Sequence, residues 1–155
     1  MTNRPKQIGT AGESGVVAFL RPNGFPGAER RALKGTHDEG DITGTPALTW
    51  EVKAGKAAQQ AGDLQIAAWL GQTETERVNA GADVGVLVVA RSGYGPRRAG
   101  HWWAIVPRWQ MARLLGAPSF PAPPTFPVRM LLADLVLVLR EAGYGTPPEQ
   151  EEPAA

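Results

Sequence analysis

The spacing of apolar residues changes period several times along the chain, and each change marks a boundary between elements. Thr10, Ala11, Gly12 and Glu13 read as a capping box ahead of the apolar run Val16, Val17, Phe19 and Leu20. A first helix is predicted over residues 12–21, ended by Pro22, Asn23 and Gly24. Residues 25–33 read as a short strand carrying Arg30 and Arg31, and residues 34–40 as a polar loop. Residues 41–43 and 48–54 read as two strands joined in a hairpin through Gly44, Thr45 and Pro46. Residues 59–78 have helical spacing, with Leu64, Ala67, Ala68 and Trp69 on one face and Gly81 as the stop signal.

The unbroken β-branched run at 84–90 predicts a strand buried on both faces. Residues 101–106 read as a further strand, after a glycine-rich loop at 92–100 that contains Arg97 and Arg98. Pro107 opens a helix that reaches Leu115. The order of elements predicts an α/β fold, a mixed sheet flanked by helices, in a main domain at residues 1–116. Five prolines within 117–127 read as a semi-rigid linker. Residues 128–143 read as a helix apolar nearly all round, which must be buried against the domain or a second copy, and 144–155 as a disordered tail.

Composition narrows the class. With 155 residues, 43% of them apolar and 20% charged, the chain suits one globular domain. It has no cysteine, which excludes disulfides and thiolate metal sites and makes a reducing, cytoplasmic setting the expectation. The polar start has no apolar core of a leader, and no run reaches the roughly 18 apolar residues a membrane span needs, so a soluble, unprocessed protein is expected. The net charge of +1 decides nothing, because phosphate affinity depends on placement. Basic residues gather at Arg30, Arg31 and Lys34, at Lys53 and Lys56, at Arg97 and Arg98, and at Arg108 and Arg113, while Glu149, Glu151 and Glu152 fall in the tail.

Side chains alternate across a strand, so Trp50, Val52 and Ala54 share one face and Glu51 and Lys53 the other. A hairpin would bring Asp41, ten residues before Glu51, alongside it. Two carboxylates at 4 Å repel by about 1 kcal/mol in water and several times more when partly buried, so a cation is expected between them. Oxygen ligands favour Mg²⁺, with Mn²⁺ able to substitute. Such an ion lowers the pKa of bound water and stabilises charge on a phosphoryl oxygen, and Lys53 would orient that water or neutralise the developing charge. The chemistry is phosphodiester hydrolysis.

Gly40, Asp41 and Ile42, followed by Glu51, Val52 and Lys53 and preceded by a helical Glu13, resemble the PD-(D/E)XK nuclease superfamily. More narrowly they resemble the small archaeal and phage-type Holliday junction resolvases, over roughly two thirds of the chain. Gly40 stands where the nominal motif has proline, a position that varies among members. The resemblance implies a restriction-endonuclease-like fold and a metal set of Glu13, Asp41, Glu51 and Val52, with Lys53 assisting the attacking water. It also implies a homodimer, since two strands of a four-way junction are cut by two sites. A polar residue on the helix after the Glu-x-Lys strand is expected too, with Gln59, Gln60 and Gln65 as candidates and Gln65 favoured. The DNA contacts expected are Arg30, Arg31, Lys34, Gln65, Arg97 and Arg98.

The expected function is a Mg²⁺-dependent endonuclease acting on branched DNA. The alternatives are a repair, restriction-type or replication-fork nuclease of the same fold, and a non-catalytic DNA-binding accessory protein. Glu13 is equally explained as a helix-capping partner. Asp38, Glu39 and His37 read as solvated loop residues, His101 as structural, and Trp50 and Trp103 as core.

Overall fold

The computed structural model describes residues 3–32, 38–121 and 126–149. The elements in chain order are α1 (Arg4–Leu20), β1 (Glu29–Arg30), β2 (Ile42–Thr43), β3 (Leu48–Lys53), α2 (Lys56–Gln59) and α3 (Asp63–Ala80). They continue with β4 (Val84–Val89), β5 (Trp103–Pro107), α4 (Arg108–Leu114), β6 (Pro127–Leu131) and α5 (Leu132–Glu141). The main sheet has the order β3-β4-β5-β6, with β3 and β4 parallel and the other pairs antiparallel, so the class is mixed α/β with helices against a four-stranded sheet. No described helix is long and apolar enough to cross a membrane.

β4 is buried at all six positions, as its apolar run predicts. Across the sheet Lys53 pairs with Val89, Val89 with Trp103 and Trp103 with Leu131, while Glu51 pairs with Leu87, Leu87 with Ile105 and Ile105 with Arg129. Cross-strand partners share a face, so Glu51, Lys53, Trp103 and Arg129 all project to one side. α3 covers β3 on that side, where its Trp69 ring lies 5.7 Å from the Lys53 ammonium. α1 covers the other side, with Gly12 against Ala54, Val52 and Trp102, so close that a Cβ there would stand 2.6 Å from the Ala54 methyl.

Several elements depart from the periodicity. α1 begins at Arg4, with Asn3 as the cap whose side chain accepts the Lys6 N–H. Its first two turns are exposed, which is why their polar residues hid them, and Thr10 to Glu13 is mid-helix and no capping box. The strand expected at 25–33 is reduced to Glu29–Arg30, because Phe25 turns in to meet Trp50 edge to face at 6.3 Å. β2 pairs with β1, so the expected hairpin ladder between residues 41–43 and β3 does not form. The long helix at 59–78 is two helices, interrupted at residues 60–62 and stopped by Gly81 in the left-handed conformation.

Residues 96–101, expected as loop and strand, form a 3-10 helix packed across α1. A Cβ on Gly15 would stand 2.5 Å from the Pro96 carbonyl oxygen, so this crossing requires glycine. Residues 128–131, expected as helix, are a strand: the free edge of β5 offers hydrogen bonds to an apolar segment whose pattern suits either state. The helix that follows buries Leu132, Leu135, Val136 and Leu139 in the common core. The segment expected as disordered tail is tied where described: the Thr146 N–H donates to the Gly24 carbonyl at 2.8 Å, and Arg140 donates to the carbonyls of Thr146 and Pro147. Residues 122–125 of the proline-rich segment and 150–155 lie outside the described residues.

Candidate active site

β3 is the platform. Asp41 is fixed against it by two hydrogen bonds: its N–H donates to the Trp50 carbonyl at 2.7 Å, and its Oδ2 accepts the Val52 N–H at 2.8 Å. This attachment does what the expected ladder would have done, and brings the Asp41 and Glu51 carboxylates together. Gly40 explains its own departure from the nominal motif. Its φ is +97°, closed to proline, and a Cβ would meet the Trp50 carbonyl oxygen at 2.8 Å.

Glu51 is only 5% exposed, and its Oε1 lies 2.9 Å from the Lys53 Nζ. Burial, then the Glu51 and Glu13 carboxylates, push the Asp41 carboxyl up to about 7, against the opposing pull of the Val52 N–H and the Lys53 ammonium. Glu13, half-buried on α1, binds Arg30 through a 2.9 Å ion pair, and Arg30 also reaches the Thr10 hydroxyl. Glu13 is thus no capping partner: it sits close enough for its charge to act on Asp41.

The pattern of the sequence missed one member of this cluster. Glu76 of α3 is 1% exposed; its Oε1 accepts a hydrogen bond from Gln72 at 3.1 Å, and no donor among the described residues reaches its Oε2. Burial, together with the neighbouring Glu51 and Asp38 carboxylates, raises this carboxyl far above the ordinary glutamate range. The signal that would have found it is periodic: Leu70, Thr73 and Glu76 recur at three-residue steps on the buried stripe of α3.

Other expected residues are placed less centrally. Arg31 pairs with Glu39 at 3.0 Å, and its Nε is buried without an acceptor among the described residues. Glu39 is therefore an ion-pair partner, and Asp38 faces Glu76 while its Oδ1 accepts the Gly40 N–H, so neither is merely a solvated loop residue. Gln65 is exposed on the first turn of α3, and Gln59 and Gln60 are exposed beside α2; the glutamine that reaches the cluster is Gln72. The Val52 side chain points to the α1 side, and its N–H serves Asp41. Arg97 and Arg98 are exposed on the 3-10 helix. Trp50 is core, with its Nε1–H donating to Thr45, whereas Trp103 is only partly buried. Lys34 and His37 lie outside the described residues.

Glu13 and Glu51 thus neighbour Asp41, and Glu76 neighbours Glu51, with Lys53 against Glu51 and Arg30 against Glu13. Burial first, and the neighbouring carboxylates second, hold Asp41 and Glu76 toward protonation, and a cation among these groups would oppose both effects. All the donors are oxygen, which fits Mg²⁺ or Mn²⁺. Among the described residues no three acidic or histidine side chains converge closely enough to hold an ion together; Glu13 is engaged by Arg30 and Glu51 by Lys53. The pair that fits an ion best is Asp41 and Glu51. Comparison with protein-family profiles, with curated protein sequences and with solved structures returned no match.

Proposed function

We propose that this chain is a metal-dependent DNA endonuclease that hydrolyses phosphodiesters, acting on branched DNA as a homodimeric Holliday junction resolvase. The observation that carries the chemistry is half-buried Asp41 beside buried Glu51, with Lys53 at 2.9 Å from Glu51. Asp41 and Glu51 would hold the ion, with Glu13 the nearest further carboxylate. Mg²⁺ supplies an activated water and charge stabilisation at the phosphoryl oxygens. Lys53 orients the attacking water and meets negative charge developing on the phosphate. The Val52 N–H and the Trp50 carbonyl keep Asp41 aimed, so this part of the site is organised before substrate arrives. Trp69 and the body of α3 shield Lys53 and Glu51 from bulk water, which strengthens each of these interactions.

The choice of branched DNA and of a dimer rests on the resemblance of residues 13–53 to the resolvases. The test is a cleavage assay with Mg²⁺ on a four-way junction, a linear duplex and a single strand, comparing wild type with Asp41→Asn. The junction is expected to be cut in preference, and the variant to be inactive on all three. Equal cutting of duplex and junction would remove the resolvase reading and leave a nuclease of broader substrate. Unimpaired cutting by the variant would remove the site.

A further inference from the structure

Arginine and aromatic side chains from three separate segments interleave beside the site. The Arg91 guanidinium lies 4.5 Å from the Trp103 ring centroid and 4.9 Å from that of Tyr94. Arg129 lies 4.5 Å from the same Trp103 ring, and Arg98 lies 4.7 Å from Tyr94. His101 stacks on Tyr94 at 4.8 Å with an interplanar angle of 11°. The result is a continuous ladder, Arg98, Tyr94, Arg91, Trp103, Arg129. It is held in place by the Trp102 indole N–H, which donates to the Tyr94 carbonyl at 2.8 Å.

Nothing acidic among the described residues answers it. The ion pairs there involve Arg30, Arg31, Lys53 and Arg77, and the guanidinium groups of Arg91, Arg98 and Arg129 make no hydrogen bond within the described part of the chain. A guanidinium held over a ring by its charge still has N–H groups to offer an anion such as phosphate. Because Trp103 is already flanked by two guanidinium groups, the surface is built to grip backbone phosphates more than to stack bases. Its position supplies the link to the carboxylates: Trp103 lies in the same cross-strand row as Lys53, two strands away, or about 10 Å at ordinary strand spacing.

We propose that this ladder is a phosphate track for the DNA backbone, which feeds the strand across the sheet face to Asp41, Glu51 and Lys53. This rests on the nuclease reading for its direction, since the polyanion is taken to be DNA. The strand phosphates bound on Arg91 and Arg129 would lie within one or two nucleotides of the phosphate at Lys53.

The test is fluorescence anisotropy with labelled duplex and four-way junction in chelator, over a salt series, for wild type, Arg91→Gln with Arg129→Gln, Arg91→Lys with Arg129→Lys, and Asp41→Asn. The double glutamine variant is expected to bind roughly tenfold more weakly, with the slope of log affinity against log salt shallower by nearly one for each phosphate that is no longer neutralised. The lysine pair is expected to keep the slope but not the full affinity, because a lysine does not lie flat on the ring. Asp41→Asn, which removes a carboxylate from the end the phosphates approach, should bind no more weakly than wild type. Unchanged affinity and slope in the folded glutamine variant would overturn the track, as would tighter, equally arginine-dependent binding to phosphatidylserine vesicles. Wild type that binds through these arginines but cuts nothing would remove the nuclease and leave the track standing.

Discussion

At β3 the sheet face carries Glu51 against Asp41 and Glu76, with Lys53 as the cation in contact; two and three strands away the same face carries Trp103 and then Arg129, with Arg91 over the ring and no described carboxylate paired to either arginine. One end holds more carboxyl groups than its lysine can keep ionised, and the other holds positive charge that no described acidic group answers. The arginines keep their charge at little cost because Arg129 is exposed and Arg91 only half-buried. Under the proposed function a divalent cation would supply the missing charge at the carboxylate end and a phosphodiester that at the arginine end.

The largest effect is expected where the two ends are pulled apart functionally. Asp41→Asn should reduce single-turnover cleavage roughly a thousandfold or more without weakening DNA binding in chelator. An equal loss of binding would break the comparison by showing that the ends are not separable. Lys53→Met should slow cleavage by about a hundredfold, within the range for a group that helps move a proton or balance charge in the transition state. Recovery of that rate with pH alone would argue against its placement beside the reacting phosphate.

The two tryptophans sharpen the contrast next. Trp50→Ala should destabilise the fold by about 3–5 kcal/mol, since the ring is fully buried and its N–H bonds Thr45. Trp103→Ala should cost about 1 kcal/mol and weaken DNA binding several-fold, because two arginines lose their platform. Chemical denaturation and anisotropy check the pair, and a Trp103 variant that unfolds as easily as the Trp50 variant would make it a core residue.

The smallest effect is in pH. In the metal-free protein the Asp41 carboxyl titrates near 7 against an ordinary 3.8, so the folded chain retains a proton the unfolded chain has released. That contribution to stability is complete below the ordinary value and is lost as pH rises through the folded one. The melting temperature in chelator should therefore fall between about pH 4 and pH 8, less steeply in Asp41→Asn, and Mg²⁺ should offset the fall at the alkaline end. A wild-type profile as flat as that of the variant would remove the strain on Asp41.

How much of this was legible in the residues depends on the range over which each feature is built. Glu51 and Lys53 share a strand, so the period of two sufficed to put them on one face. Asp41 was legible by spacing, although two hydrogen bonds to β3 hold it where a ladder was expected. Glu76 comes from an element 25 residues beyond Glu51, on a helix whose break at residues 60–62 blurs its phase. The arginine ladder joins residues 91–98, 103 and 129, and depends on β6 being a strand, which its apolar run does not distinguish from a helix turn. Of the two readings of Glu13, the capping one fails because α1 begins at Arg4, well before Thr10.

The most direct test of hydrolysis at the carboxylate end is to incubate wild type with labelled four-way junction in chelator and then add excess Mg²⁺. The account predicts no product before the addition, cleavage after it, and none at either stage with Asp41→Asn. Cleavage in chelator, or intact junction with both Mg²⁺ and Mn²⁺, would contradict it.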